Sequence, residues 1–349
     1  MTVYQELQLN QAGSKGIIRS SSTRSEKLRH TAIYLFKIMI TLAFCMAFVI
    51  FYSTVFGSGN SIAGVAVLLC IMVFRFADFG YHAAHSTASL FLIFGILAFG
   101  PRLANTGTPL TGLIVNLVCI FLIMVLGCHN VIMFNHSTLV LAYLLLYGYD
   151  TSGSSYLLRV VGIALGAVLT AAVFYRNHKK YSYTRSFRTL LQEFDIRSMR
   201  TRWQLTVTLG VSTVIFLAES FHIPRAMWAG IAAMSVLLPF HLDIAGRAKA
   251  RIPGNIAGGL LFLLLYPLLP EALHPYIGVL GGIGVGLSAT YGWQAVFNSL
   301  GAMAIAVSFL GVPGAVFFRI FNNAFGALYG VVFHRIFQTA LDRLTAVQG

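Results

Sequence analysis

Apolar residues fall along this chain in runs of membrane length separated by short polar breaks, and that rhythm predicts bilayer-crossing α-helices. The runs of the first half cover about 33–55, 61–76, 88–99, 110–126, 131–147 and 156–175. Those of the second half cover about 205–218, 227–238, 256–269, 276–289, 295–310 and 315–337. The breaks carry Gly, Pro and Asn, as at 57–60, 100–109 and 127–130. The third run is short unless the residues before it are helical too. After the first 29 residues only one stretch is long and hydrophilic, 176–202. Within it Phe187, Leu190, Leu191, Phe194 and Ile196 are spaced like one face of a helix. This predicts an amphipathic helix at a membrane interface, with a partner-binding helix as the alternative.

The pattern predicts an all-α, polytopic membrane protein of about twelve transmembrane helices, arranged as two parallel six-helix repeats. Its expected parts are a basic tail (1–30), a first repeat (31–176), a basic linker (177–203), a second repeat (204–338) and a short tail (339–349). Arg159-x6-Gly166-Ala recurs as Arg319-x6-Gly326-Ala, and Phe134-Asn135 recurs as Phe297-Asn298. Asp78 with His82 four residues on recurs as Asp243 with Arg247. The same order at nearly constant offset predicts an internal duplication.

Composition agrees: 57 % of the 349 residues are hydrophobic and only 10 % are charged, far below the soluble norm of about 25 %. The formal charge of +14 sits in clusters beside apolar runs. There it sets topology and meets anionic lipid, and it does not point to nucleic acid. Basic N-terminal tail and basic linker belong on one side, which six intervening spans permit. The reading is a multi-pass protein of the cell inner (plasma) membrane with both termini cytoplasmic. The N-terminus reads as a tail and not a signal peptide. Cys45, Cys70, Cys119 and Cys128 read as small apolar residues, with no metal spacing among them. No nucleotide-binding, hydrolase or metalloenzyme motif appears, so neither enzyme, cofactor nor metal is expected.

The densest charge between apolar runs lies at 241–259, which holds Asp243, Arg247, Lys249, Arg251, Pro253, Gly254, Gly258 and Gly259. It reads as a topogenic loop, as a site for an anionic solute, or as both. Asp78 and Asp243, each with a base one helical turn on, are structural ion pairs, gates or proton acceptors, with His82 and His85 in the same group. Arg75, Arg247 and Arg251 are candidate anion contacts, since a guanidinium donates two parallel bonds to a carboxylate. Arg159 and Arg319 anchor helix ends or contact the anion. Asn135 and Asn298 cross-link helices or line a path. Trp228, near Pro224 and Arg225, belongs to an interfacial belt or stacks on an aromatic solute. Gly166, Gly254, Gly258 and Gly326 suit close helix packing, and Pro253-Gly254 permits a helix break that frees N–H groups.

Trp228, Arg247-x3-Arg251-Ile-Pro-Gly254-x3-Gly258 and Arg319-x6-Gly326 together resemble the pattern of the fusaric acid resistance (FUSC) and aromatic acid exporter superfamily. Plant aluminium-activated malate channels are distant relatives of that superfamily. The resemblance covers about 203–340 well and 30–177 as a diverged copy, in which His85 stands where Arg251 does. Asn255 replaces the family's usual Thr, and residues 176–202 stand where larger members carry a cytoplasmic domain. The resemblance implies export of a small organic anion, plausibly an aromatic carboxylate, with proton coupling as an option. A passive anion channel is the first rival. An accessory protein or enzyme acting on a lipid-linked substrate is the second. The expected partners are the anion and anionic lipids, with a homodimer and a periplasmic adaptor left open.

Overall fold

The computed structural model describes residues 2–239 and 244–346, and among them all regular structure is helical. In chain order the helices are α1 (Val3–Leu7), α2 (Gln11–Ser20), α3 (Arg24–Phe56), α4 (Ser61–Phe74), α5 (Ala83–Asn105), α6 (Pro109–Gly127) and α7 (His136–Gly148). There follow α8 (Gly153–His178), α9 (Phe187–Gln192), α10 (Met199–Ser220), α11 (Met227–Val236), α12 (Ile244–Leu268), α13 (Ile277–Leu287) and α14 (Tyr291–Ala346). The apolar runs fall inside helices to within a residue or two at their ends, except that the first five residues of the run 131–147 precede α7. Among the described residues six helices are long and apolar enough to cross a bilayer: α3, α5, α6, α8, α12 and α14. The helical part of α4, α7 and α11 is shorter than a bilayer is thick.

Three elements differ from expectation. The linker's amphipathic helix is only Phe187–Gln192, because Ser186 and Thr189 cap it and the chain turns again at Asp195. The stretch read as a loop at 241–259 is, from Ile244 on, the start of α12. Ala245, Ala248 and Ala250 favour that helix, which continues through Pro253, so no helix break frees N–H groups there. The two last apolar runs are one helical stretch interrupted at Gly311, whose φ of 66° only glycine adopts readily.

The chain divides into two compact units. The first comprises residues 1–47 and 249–321. Here glycines let backbones approach. A Cβ at Gly254 would lie 2.7 Å from the Gly292 carbonyl, and one at Gly258 2.5 Å from that of Val296. The buried Asn255 amide accepts from the Ser299 hydroxyl at 2.8 Å, tying α12 to α14. Tyr34 of α3 donates to the Gly286 carbonyl of α13 at 2.7 Å. The tail adds Glu6, buried and bonded to His30 at 2.7 Å.

The second unit comprises 48–248 and 322–349. In it α5 packs on α6 and α8, α4 on α7 and α8, and α10 on α6 and α11. Gly166 of α8 lies against Val67 of α4, and Gly326 of α14 lies against the Ala229 backbone of α11. Arg159, buried in α8, bonds the Asn60 side chain at 2.9 Å and the Tyr149 and Gly59 carbonyls at 2.7 and 3.0 Å. Asn322 of α14 donates to the Pro224 carbonyl at 2.8 Å.

Replacing Gly326 by Ala drives a methyl into the Ala229 carbonyl, so we expect a loss of about 1–3 kcal/mol. Nothing lies within 4 Å of a Cβ at exposed Gly246, so Gly246→Ala gains roughly 0.5 kcal/mol by helix propensity. Thermal unfolding of the two variants in one detergent checks the opposite signs.

Candidate functional site: two clefts on α10 and a docked linker

Helix α10 begins at Ser198, whose hydroxyl accepts the Thr201 N–H at 3.2 Å. From Met199 to Glu219 the helix rises about 30 Å, the thickness of a hydrocarbon core. A cleft opens at each end. The first, about 160 Å³, is lined by Arg197, Arg202, Trp203, Leu238, His334 and Gln338 among others. Arg202 is held by the Asp342 carboxylate, by the Thr345 hydroxyl at 3.2 Å and by the Ile196 carbonyl at 2.9 Å. The Trp203 indole N–H donates to the Leu237 carbonyl at 2.9 Å and the ring meets His136 edge-on at 4.9 Å. Arg197 stands exposed at the rim.

The second cleft, about 300 Å³, is lined by Asn105, Tyr147, Asp150, Glu219, Arg225 and Met227 among others. Arg102 donates to Asp150 at 2.6 Å. Arg225 donates to the Gly148 carbonyl at 3.2 Å and lies over the Tyr149 ring at 5.0 Å. Its φ of 61° is left-handed, a strained state for a long side chain. Glu219 accepts from the Tyr147 hydroxyl at 3.2 Å. Between the clefts α10 buries Gln204, Thr208 and Ser212 at four-residue spacing. The Gln204 amide donates to the Met124 carbonyl at 3.0 Å, and Thr208 to the Gln204 carbonyl at 2.8 Å.

The linker is docked beside the first cleft's end of α10. Glu193 is its hub, accepting from Arg185 at 2.8 Å and from Arg200 at 3.0 Å. These bonds hold its carboxyl below the usual range, chiefly the one from Arg185. Arg200 also reaches His129 Nε2 at 3.1 Å. Burial, then the positive Arg200, pushes His129 down to about 4. It is therefore neutral at pH 7, and Nε2 accepts the guanidinium proton. The Phe194 ring meets Phe121 edge-on at 5.8 Å. The Arg185 carbonyl accepts the His82 N–H at 2.9 Å, and His85 Nδ1 accepts the Phe187 N–H at 3.3 Å.

These contacts place the sequence candidates. Residues 75–82 are irregular, so Asp78 and His82 do not share a helical face. Asp78 accepts instead from the Gly80 N–H at 2.7 Å and the Asn130 amide at 3.0 Å. Asn135 is buried and brackets the Asp78 and Gly127 carbonyls at 2.9 and 2.8 Å. Arg75 is exposed, its guanidinium 4.4 Å from the Phe76 ring centroid. Arg247 donates to the Ser235 carbonyl at 3.4 Å, and buried Arg251 donates to the Tyr291 hydroxyl at 2.9 Å. Trp228 is buried in α11, and Asn298 is exposed on α14. Asp243 lies outside the described residues. Arg75, Arg247 and Arg251 thus line neither cleft. Glu219 and Tyr147, which do line one, were passed over. The available signal was an acid in the last turn of an apolar run, in a chain with only 10 Asp and Glu.

Helices of this length and composition make the chain a multi-pass integral membrane protein. Residues 213–333, about a third of the chain, match the family model described as fusaric acid resistance protein-like, a likeness that suggests a role in membrane transport or efflux. No curated protein and no solved structure matches the chain.

The His129 shift has a definite sign. Between about pH 6.5 and 4 the unfolded chain binds a proton that the folded one refuses, so stability falls as pH falls through that window. We expect about 2 kcal/mol to be lost between pH 7 and 5. Glu193, held below its ordinary range, loses its contribution in the same direction at lower pH. Unfolding midpoints across this range check it, and His129→Gln should lose less stability than the wild type between pH 7 and 5.

Proposed function

We propose that the protein moves a small organic anion, plausibly an aromatic carboxylate, across the cell membrane, and that the 160 Å³ cleft at the linker end of α10 receives it. The carrying observation is that cleft's lining: Arg197 and Arg202 beside the apolar faces of Met199, Leu238 and Trp203. A guanidinium recognises a carboxylate and the walls accept a ring. Its volume is below that of drug-sized sites, which favours a single-ring solute.

The linker end is the cytoplasmic one on this reading, because Arg185, Arg188, Arg197, Arg200 and Arg202 cluster there. The two parallel repeats are supported by matched contacts. In each half the sixth span's glycine, Gly166 or Gly326, rests on the second span. In each half too, a sixth-span polar side chain, Arg159 or Asn322, bonds the turn that follows the first span. Arg247, at the start of α12 and in the same unit as the cleft, adds to the positive field there.

Purified protein in liposomes should carry benzoate and not benzamide. Arg197→Gln should cut that flux about tenfold, the worth of one charge-assisted contact. Equal flux of acid and amide would sink the anion reading. Flux that follows voltage alone and ignores a pH gradient would assign a passive channel.

A further inference from the structure

The second cleft holds a carboxyl group whose surroundings set it apart from every other acid near it. Asp150, the other acid of the lining, has its arginine: Arg102 at 2.6 Å. Glu219 has no Lys, Arg or His within ion-pair distance among the described residues. Its recorded partner is the Tyr147 hydroxyl at 3.2 Å. One turn back from Tyr147 on α7, a second buried phenol extends the tie. Tyr143 donates to Asn116 Oδ1 of α6 at 2.7 Å. Tyr143 and Asn116 are almost wholly buried, and Tyr147 is 6 % exposed. Together these bonds join α6 and α7 to the last turn of α10.

We propose that Glu219 is a proton-controlled latch of the second cleft: ionised, it holds α7 to α10 through Tyr147; protonated, it releases them and admits the solute. This rests on the transport reading above. A bond to an ionised acceptor is about twice as strong as a neutral one, so a proton on Glu219 weakens the tie at the cleft wall. The same proton removes the negative charge that an anion in the cleft would meet. Proton and anion are therefore linked there, each favouring the other. The groups facing Glu219 are few. Tyr147 comes from α7, Asp150 with Arg102 and Asn105 from the opposite wall, and Arg225 and His222 from the turn after α10.

The test uses the whole protein in liposomes with the voltage clamped, and benzenesulfonate as the probe, because its own charge does not titrate. Wild-type flux should rise about fivefold or more from pH 8 to pH 5, while Glu219→Gln stays flat at the acid level. Tyr147→Phe should keep the dependence with a displaced midpoint. A wild-type profile retained in Glu219→Gln overturns the latch. If that variant fails to insert, Glu219→Asp, which still titrates but falls short of Tyr147, should displace the midpoint; an unchanged profile there also overturns it. If the wild type carries neither sulfonate nor carboxylate, the transport reading fails separately. Infrared titration then reads the latch directly. A carboxyl band that titrates in the wild type and is absent from Glu219→Gln upholds it, and identical spectra overturn it.

Discussion

A polar group carried into a bilayer must find its partner inside the protein, because lipid offers none. Most of the second unit's architecture follows from that obligation. Arg159 is buried in α8 because three acceptors on two turns surround its guanidinium. One of them, Asn60, is itself spent on the Phe56 and Ser155 carbonyls. A single charge thus ties α3, the turn before α4, and the start of α8. Removing the arginine would leave acceptors stranded, whereas removing an acceptor would strand a charge, the costlier outcome. The glycines serve the same end by another route. Gly166 and Gly326 bring helices close enough for dispersion to hold them where no hydrophobic force does.

The same obligation explains why the most conspicuous charges are not where a solute would meet them. Asp78 lies in an irregular segment, and irregular backbone exposes N–H and C=O groups that need partners. Its carboxylate, with the Asn130 and Asn135 amides, supplies them. The linker then covers that segment, giving the Arg185 carbonyl to His82 and the Phe187 N–H to His85. His82, His85 and Asp78 form a fastening for the basic linker. Arg200 and Glu193 complete it over His129.

Helices were legible because their signal is collective: an apolar window outvotes any one residue. What the sequence could not display is partner choice across the chain. Asp78 and His82 have the spacing of a helical pair, yet partners fifty to a hundred residues on, Asn130, Asn135 and the Arg185 carbonyl, hold the segment out of a helix. Pro253-Gly254 reads as a break, yet Gly254, Asn255 and Gly258 pack α12 so closely on α14 that the helix persists. The resemblance groups Arg251 with Gly258; in the structure Gly258 serves packing against Val296, and Arg251 bonds the Tyr291 hydroxyl. Glu219 carried a fair signal, an acid at the end of an apolar run, without the neighbours that would have marked it.

Partner satisfaction also separates the two clefts. At the linker end the cationic side chains are steadied from behind by Asp342, Thr345 and Ile196, which keeps Arg202 ordered at the wall. At the other end Asp150 is paired with Arg102, and Glu219 accepts from the Tyr147 phenol. One end of α10 is thus built to keep a positive field at all ordinary pH, since arginine does not titrate there. The other end rests on a single carboxyl, whose charge a proton can remove. The two ends of one helix thus differ in kind: a guanidinium held in place at one, a titratable carboxyl beside a phenol at the other.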